Sequence, residues 1–209
     1  KLTFSLSSLV PDIRFPICMS DCRDEYKGKQ KDGNLIGLNI RLREDKLKKA
    51  EKRVLECDPI FGSLSLHGST ISYTINVFKR AIDLRPYKKA EQSIIMMLNG
   101  QNQGEIKQHV FSRKTFNKIR NLKKSLLIMV DFSNVKASVR EDCFCVSRDR
   151  QREGTKFYID FEDKLFDEIS NNNFLRALSK KRFEDDIKNR AEDDREFESI
   201  LQDIITNDP

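Results

Sequence analysis

Two short apolar runs, residues 94–98 and 126–130, constrain the fold of this chain more than any other feature. Each is apolar at consecutive positions, so a strand built from it would bury both faces, and each falls far short of the ~18 residues needed to cross a bilayer as a helix. They therefore read as buried strands, the first of them central in its sheet. Asn99-Gly100 follows the first run and is a strong turn dipeptide, because both residues tolerate positive φ. Residues 101–106 are predicted to pair back from that turn. Residues 64–80, where Ile71, Tyr73, Ile75 and Val77 alternate with polar residues, are predicted as one strand with a single buried face. Residues 34–42 show a sparser alternation and are also predicted as a strand.

Helical periodicity fills the gaps between these strands and dominates the end of the chain. Residues 44–56 read as a short charged helix that stops near Asp58-Pro59. Residues 111–123 place Phe111, Phe116, Ile119 and Leu122 on one stripe against a cationic face, which predicts a helix between the strands. A further helix is predicted from about Ser138. Phe157, Phe161, Leu165 and Ile169 then step by four until Asn171-Asn172-Asn173 interrupts the pattern. Phe174, Leu175 and Leu178 begin a second helix, and Phe197, Ile200, Leu201, Ile204 and Ile205 mark a third. Strands joined through a helix to a further strand, with helices gathered behind them, imply an α+β fold: a mixed sheet with helices on one face and an acidic helical tail. The expected division is an irregular linking segment (1–60), an α+β domain (61–155) and an acidic helical extension (156–209).

The net charge of +6 conceals an asymmetry. Residues 151–209 carry 10 Lys and Arg against 16 Asp and Glu, while residues 1–150 carry 29 against 17. A basic body points to nucleic acid or a phosphate-bearing ligand, and an acidic tail to a partner or a solvated helix. The five cysteines are an odd number, and no signal-peptide pattern follows Lys1, so reduced thiols in the cytoplasm are expected and no membrane association is. Cys18/Cys22 and Cys143/Cys145 lack the two-residue gap usual in zinc sites, so no metal is expected.

Three stretches together resemble one superfamily. Ile94-Ile95-Met96-Met97-Leu98-Asn99-Gly100-Gln101 is similar to the strand and Asn-Gly turn of the MutL transducer domain. Leu127-Ile128-Met129-Val130-Asp131, followed by Ser147-Arg148-Asp149-Arg150, resembles the middle segment of heat-shock-protein-90-type chaperones, where a strand ending in Val-Asp precedes a Ser-Arg-Glu turn. The likeness, over roughly residues 64–178, is to the transducer region of the gyrase B/heat-shock chaperone/histidine kinase/MutL (GHKL) ATPases. It implies a fold like domain 2 of ribosomal protein S5, whose loops reach the ATP site of an upstream domain of the same chain and couple nucleotide state to dimer geometry. It also implies that Arg148 senses the terminal phosphate, which suits a planar guanidinium that can make two parallel hydrogen bonds. Asp149 replaces the family's Glu and Arg150 lies close by, so which arginine faces the nucleotide stays open. ATP and magnesium are implied for the parent protein. The Glu-Asn pair, Asp-x-Gly-x-Gly and Gly-rich lid that bind them are absent from this sequence, so the chain alone is expected to bind no cofactor and to catalyse nothing. Bacterial members of the superfamily serve DNA repair, chaperoning or phage defence, and the resemblance does not choose among these.

The residues themselves leave a second reading open. Arg113, Lys114, Lys118, Arg120, Lys123 and Lys124 would present a cationic surface to nucleic-acid phosphates, making the chain a stand-alone binding module without catalysis. Asp131, at a strand end, is expected to cap the turn at Ser133, and with Asn99 and Gly100 to serve as a structural turn. Neither His67 nor His109 has the sequence surroundings of a catalytic base, and the runs Glu184-Asp185-Asp186 and Glu192-Asp193-Asp194 read as solvated faces.

Overall fold

The computed structural model describes residues 17–19, 33–35, 37–44, 54–144 and 154–207. The fold is α+β, built on a five-stranded mixed sheet. A small antiparallel pair precedes it, β1 (Ile17–Met19) with β2 (Gly33–Leu35), and then a short helix, α1 (Leu38–Glu44). Residues 34–42, predicted as one strand, thus divide into the end of β2 and most of α1, because Leu38 and Leu42 stand four apart and bury one helical stripe. Of the predicted helix 44–56, residues 45–53 lie outside the described residues. At its far end Leu55 is not helical but forms an isolated bridge to Phe78.

The predicted single strand at 64–80 is a hairpin of β3 (Ile60–Leu66) and β4 (Ser69–Val77). His67 and Gly68 form the turn, with φ of +46° and +71°. A two-residue connection with positive φ at both positions matches the twist of the flanking strands, so the alternation runs through the turn without an apparent break. On the edge strand β3, Gly62 faces Tyr73, whose ring lies where a Cβ on Gly62 would come within 2.3 Å of it. The aromatic side chain thus covers the backbone that glycine leaves bare.

β5 (Gln92–Leu98) turns through Asn99 and Gly100, at φ of +51° and +74°, into β6 (Gln101–Lys107). After two 3-10 helical segments, Gln108–Ser112 and Lys114–Leu122, the chain returns as β7 (Leu126–Asp131). β7 inserts between β4 and β5, antiparallel to the first and parallel to the second, giving the order β3-β4-β7-β5-β6. It is buried from Leu126 to Val130. The predicted α-helix at 111–123 is 3-10 helical because Phe116, Ile119 and Leu122 repeat every three residues, a spacing that eclipses on three residues per turn.

Helices α2 (Ala137–Cys143), α3 (Lys156–Asn171) and α4 (Asn173–Asn207) complete the chain. Thr155 caps α3, its Oγ1 accepting from the Tyr158 amide at 3.3 Å. Phe157, Phe161, Leu165 and Ile169 are all buried, and Asn172 marks the break between α3 and α4. The second and third predicted tail helices are one continuous helix, α4.

One face of the sheet carries the larger core. Ile71, Ile75, Ile94, Ile128 and Val130 meet the 3-10 layer and α3, where Phe111, Phe116 and Phe166 pack edge to face with centroids 4.8 and 5.3 Å apart. The other face is covered as well. Ile95, Met97, Leu127 and Met129 pack against Leu38 and Leu42 of α1, Leu55, and Leu84 and Tyr87 of the β4–β5 loop. That second layer explains why residues 94–98 of β5 and 126–130 of β7 are apolar at every position.

Candidate functional site

Two of the three stretches singled out in the sequence, residues 94–101 and 127–131, lie side by side. β5 and β7 run parallel with Met97 level with Asp131, so both strands end at the same edge of the sheet. In open α/β sheets this carboxyl edge of parallel strands is where ligands tend to bind. Asn99 donates its backbone N–H to Ser133 Oγ at 2.8 Å, and Ser133 Oγ in turn donates to Asp131 Oδ1. The Ser133 amide donates to the same Asp131 oxygen at 2.9 Å, closing a local turn, and the Phe132 amide donates to Met97 O at 2.8 Å. Asn99, Ser133 and Asp131 therefore form one hydrogen-bonded knot, with Gly100 next to it in the turn. Asp131 is committed within it as an acceptor.

Phe132 continues from this knot into the core, stacking edge-on with Phe144 (5.2 Å) and lying near Phe161 (5.1 Å). Phe144, just after α2, thus brings the chain back beside the end of β7. Arg148 and Arg150 follow closely in sequence but lie outside the described residues, so their surroundings are not part of this geometry.

The six candidate cations of the basic segment divide into two sets. Arg113 stands 4.0 Å from Glu162 and over the Phe166 ring at 5.3 Å. Arg120 donates to Asn117 Oδ1 at 2.7 Å, and Lys123 to Ser112 Oγ at 3.3 Å. These three are tied into the fold. Lys114, Lys118 and Lys124 are exposed and have no hydrogen bond or ion pair among the described residues. Because Phe116, Ile119 and Leu122 turn inward, the lysines between and beside them are directed to solvent.

Of the remaining sequence candidates, His67 and Asp186 have structural partners. His67, in the hairpin turn, lies 2.9 Å from Asp160 Oδ2 and edge-on to Phe157 at 5.2 Å, which pins the β3–β4 tip to α3. Lys164 of α3 adds a 2.6 Å bond to Ser65 O beside it. His109 is exposed on the first 3-10 segment and borders a cavity of about 410 Å³ with Glu105, Tyr158 and Glu162. Asp186, expected on a solvated face, receives Arg80 Nη1 at 2.5 Å. Glu192, Asp193 and Asp194 belong to the part of α4 whose side chains are outside the described set.

Two buried cations escaped the sequence entirely. Arg182 of α4 is 3 % exposed; its Nη2 bonds Glu56 and the Phe78 carbonyl (2.7 Å), and its Nη1 bonds Ser125 Oγ at 2.8 Å. Lys88, in the β4–β5 loop, is 6 % exposed and donates to Leu126 O at 3.1 Å. Both sit in charged sequence with no local sign of burial. Both also lie at the sheet edge opposite the Asn99–Ser133–Asp131 knot, where β5 and β7 begin. No helix among the described residues is long and apolar enough to cross a membrane, and no cluster of three metal-ligating side chains occurs among them. No family model and no curated protein matches the chain.

Proposed function

We propose that this chain is the transducer region of a GHKL-type ATPase, coupling the nucleotide state of an upstream domain to the conformation of the parent protein. The observation that carries it is the level, parallel pairing of β5 and β7, which puts the Asn-Gly turn and the Val-Asp strand end at one sheet edge, linked by hydrogen bonds through Ser133. Phe144 packs on Phe132 at that same edge, and in sequence it stands three residues before Ser147. A turn fastened by Asp131 and Ser133 is a suitable support for a guanidinium that must meet a phosphate presented by a neighbouring domain, the role the resemblance implies for Arg148 or Arg150. ATP and magnesium would then be bound upstream, with Arg148 or Arg150 completing the site.

The test is ATP turnover by the full-length gene product and by its Arg148→Ala and Arg150→Ala variants. One of the two is expected to lower kcat by about a hundredfold or more, in keeping with arginines that stabilise phosphoryl transfer. A gene product that binds no ATP, or turnover unchanged in both variants, overturns the proposal.

A second reading is favoured by a separate observation, the three solvent-directed lysines Lys114, Lys118 and Lys124 on the outer side of the 3-10 layer. Such a surface suits sequence-independent contact with nucleic-acid phosphates. The two readings occupy different parts of the molecule and fail independently.

A further inference from the structure

Lys88 is the only buried lysine among the described residues, and its charge is poorly compensated. Its ammonium carries three protons. One is accepted by Leu126 O, and no carboxylate among the described residues lies within ion-pair distance of Nζ. Buried charges are ordinarily paired, since desolvation otherwise costs several kcal/mol. Arg182, buried nearby in the same end of the fold, follows that rule with Glu56, Ser125 and the Phe78 carbonyl. Lys88 does not. Burial alone lowers its pKa to about 8.

The side chain lines a groove of about 400 Å³ at the sheet edge where β5 and β7 begin. Lys124, exposed and unpartnered among the described residues, stands on the same groove, and Ile82 and Leu84 give it apolar walls. The other charges bordering it are largely spent. Arg85 binds both oxygens of Asp83, at 2.8 to 3.1 Å, and holds that carboxyl below its usual pKa through those hydrogen bonds. Lys89 pairs with Glu105 at 3.3 Å. What remains is Lys88 and Lys124 with only the exposed Glu91 opposing them, a locally positive groove lined by an ammonium that has one hydrogen-bond acceptor among the described residues.

We propose that this groove is a phosphate-ester site, in which Lys88 and Lys124 share the terminal oxygens of one phosphate and the apolar walls take the organic part of the ester. A phosphate has three terminal oxygens, so it can accept from both ammonium groups at once. A groove of this size accommodates a molecule as large as a mononucleotide. The site is independent of the proposed transducer role and lies at the opposite edge of the sheet from the Asn99–Ser133–Asp131 knot. The same chemistry is offered by a free nucleotide and by the phosphorylated end of a nucleic-acid strand.

The experiment is a calorimetric titration of the full chain with adenosine monophosphate, repeated with Lys88→Met and Lys124→Gln. Saturable binding to one site is expected, weakened at least about tenfold by Lys88→Met and severalfold by Lys124→Gln. Lys88→Met removes an uncompensated buried charge and should fold. If it does not, the pH dependence of the wild type decides: affinity should fall as pH rises from about 7 to 9.5, because Lys88, with a pKa of about 8, loses its proton there. A 5′-phosphorylated oligonucleotide that competes with the monophosphate identifies a strand end as the source, and one that does not identifies the free ester. Absence of saturable binding, an affinity untouched by Lys88→Met, or a flat pH profile overturns the proposal.

Discussion

The backbone amide of Asn99 is held by the side chain of Ser133, 2.8 Å away, so the turn that ends β5 is fastened to the residue that follows β7. The contact joins two parallel neighbours whose sequences are separated by an intervening strand and the 3-10 layer. Ser133 relays it to Asp131, so the three residues form one hydrogen-bonded chain.

Ser133→Ala should therefore break two bonds at once and leave the Asp131 carboxylate with the Ser133 amide alone. Because the bonds to Asn99 and Asp131 lie near the surface, we expect a loss of about 0.5 to 1.5 kcal/mol. Urea denaturation should show a lower midpoint with an unchanged slope. In the full-length gene product the same variant should lower ATP turnover if this edge presents the phosphate-sensing loop.

Arg182 binds Glu56 before β3, Phe78 after β4 and Ser125 before β7, and thereby anchors α4 to three separate segments. Arg80 reinforces the anchor through Asp186 and the Arg182 carbonyl. Arg182→Ala leaves the partly buried Glu56 and a buried carbonyl without their partner, a loss of about 3 to 5 kcal/mol. A combined Arg182→Met and Glu56→Leu change should recover much of it, since packed apolar groups can replace a buried ion pair. A double-mutant cycle read by thermal unfolding, with amide exchange along α4, checks both outcomes.

Stability should depend on pH through Lys88. Its pKa is near 8 when folded and near the ordinary 10.5 when unfolded, so between those values the unfolded chain binds more protons. The sign is then fixed: the penalty of the buried charge is fully present below about pH 8 and relieved as pH rises toward 10.5. Lys88→Met should accordingly stabilise the protein at neutral pH, by about 1 to 3 kcal/mol, less any cost to the Leu126 carbonyl that loses its donor. The advantage should shrink above pH 8. Chemical denaturation at pH 7 and pH 10 distinguishes this from a pH-independent packing gain.

If the outer lysines contact nucleic acid, affinity should fall steeply with salt, and neutralising Lys114, Lys118 and Lys124 together should reduce the slope of log K against log salt by about 2 to 3. Neutralising Arg120 or Lys123 should matter less, since both are engaged within the segment. Fluorescence anisotropy with a short duplex between about 50 and 200 mM salt measures it. A slope unaffected by the triple change would remove these lysines from any phosphate interface.

Much of the framework is written in local patterns. Residues 94–98 and 126–130 are apolar at every position, and only a strand covered on both faces satisfies that. Asn99-Gly100 stops one of them, and the four-residue step of Phe157, Phe161, Leu165 and Ile169 specifies the buried side of α3. These features depend on residues within a turn or a strand of each other, so sequence spacing carries them. The same locality explains the errors. His67-Gly68 preserves the alternation across a hairpin, and a three-residue apolar repeat in Phe116, Ile119 and Leu122 looks like an α-helical stripe until it is laid on a tighter helix.

Other features required the tertiary structure, because they depend on which distant segments meet. Nothing in the spacing of β7 dictates that it enters between β4 and β5, yet that insertion brings Met97 level with Asp131 and creates the Asn99–Ser133 contact. Arg182 stands in a run of charged residues like its neighbours, and only the approach of Glu56, Phe78 and Ser125 makes it a buried anchor. Lys88 shares a lysine pair with Lys89, and packing alone buries the first against Leu126 while leaving the second to Glu105 at the surface. The sequence by itself determined the elements and their buried faces, through short-range periodicity and turn chemistry. The tertiary structure decided strand order and the fate of each charge, since burial and pairing depend on what long-range contacts bring within a few ångströms.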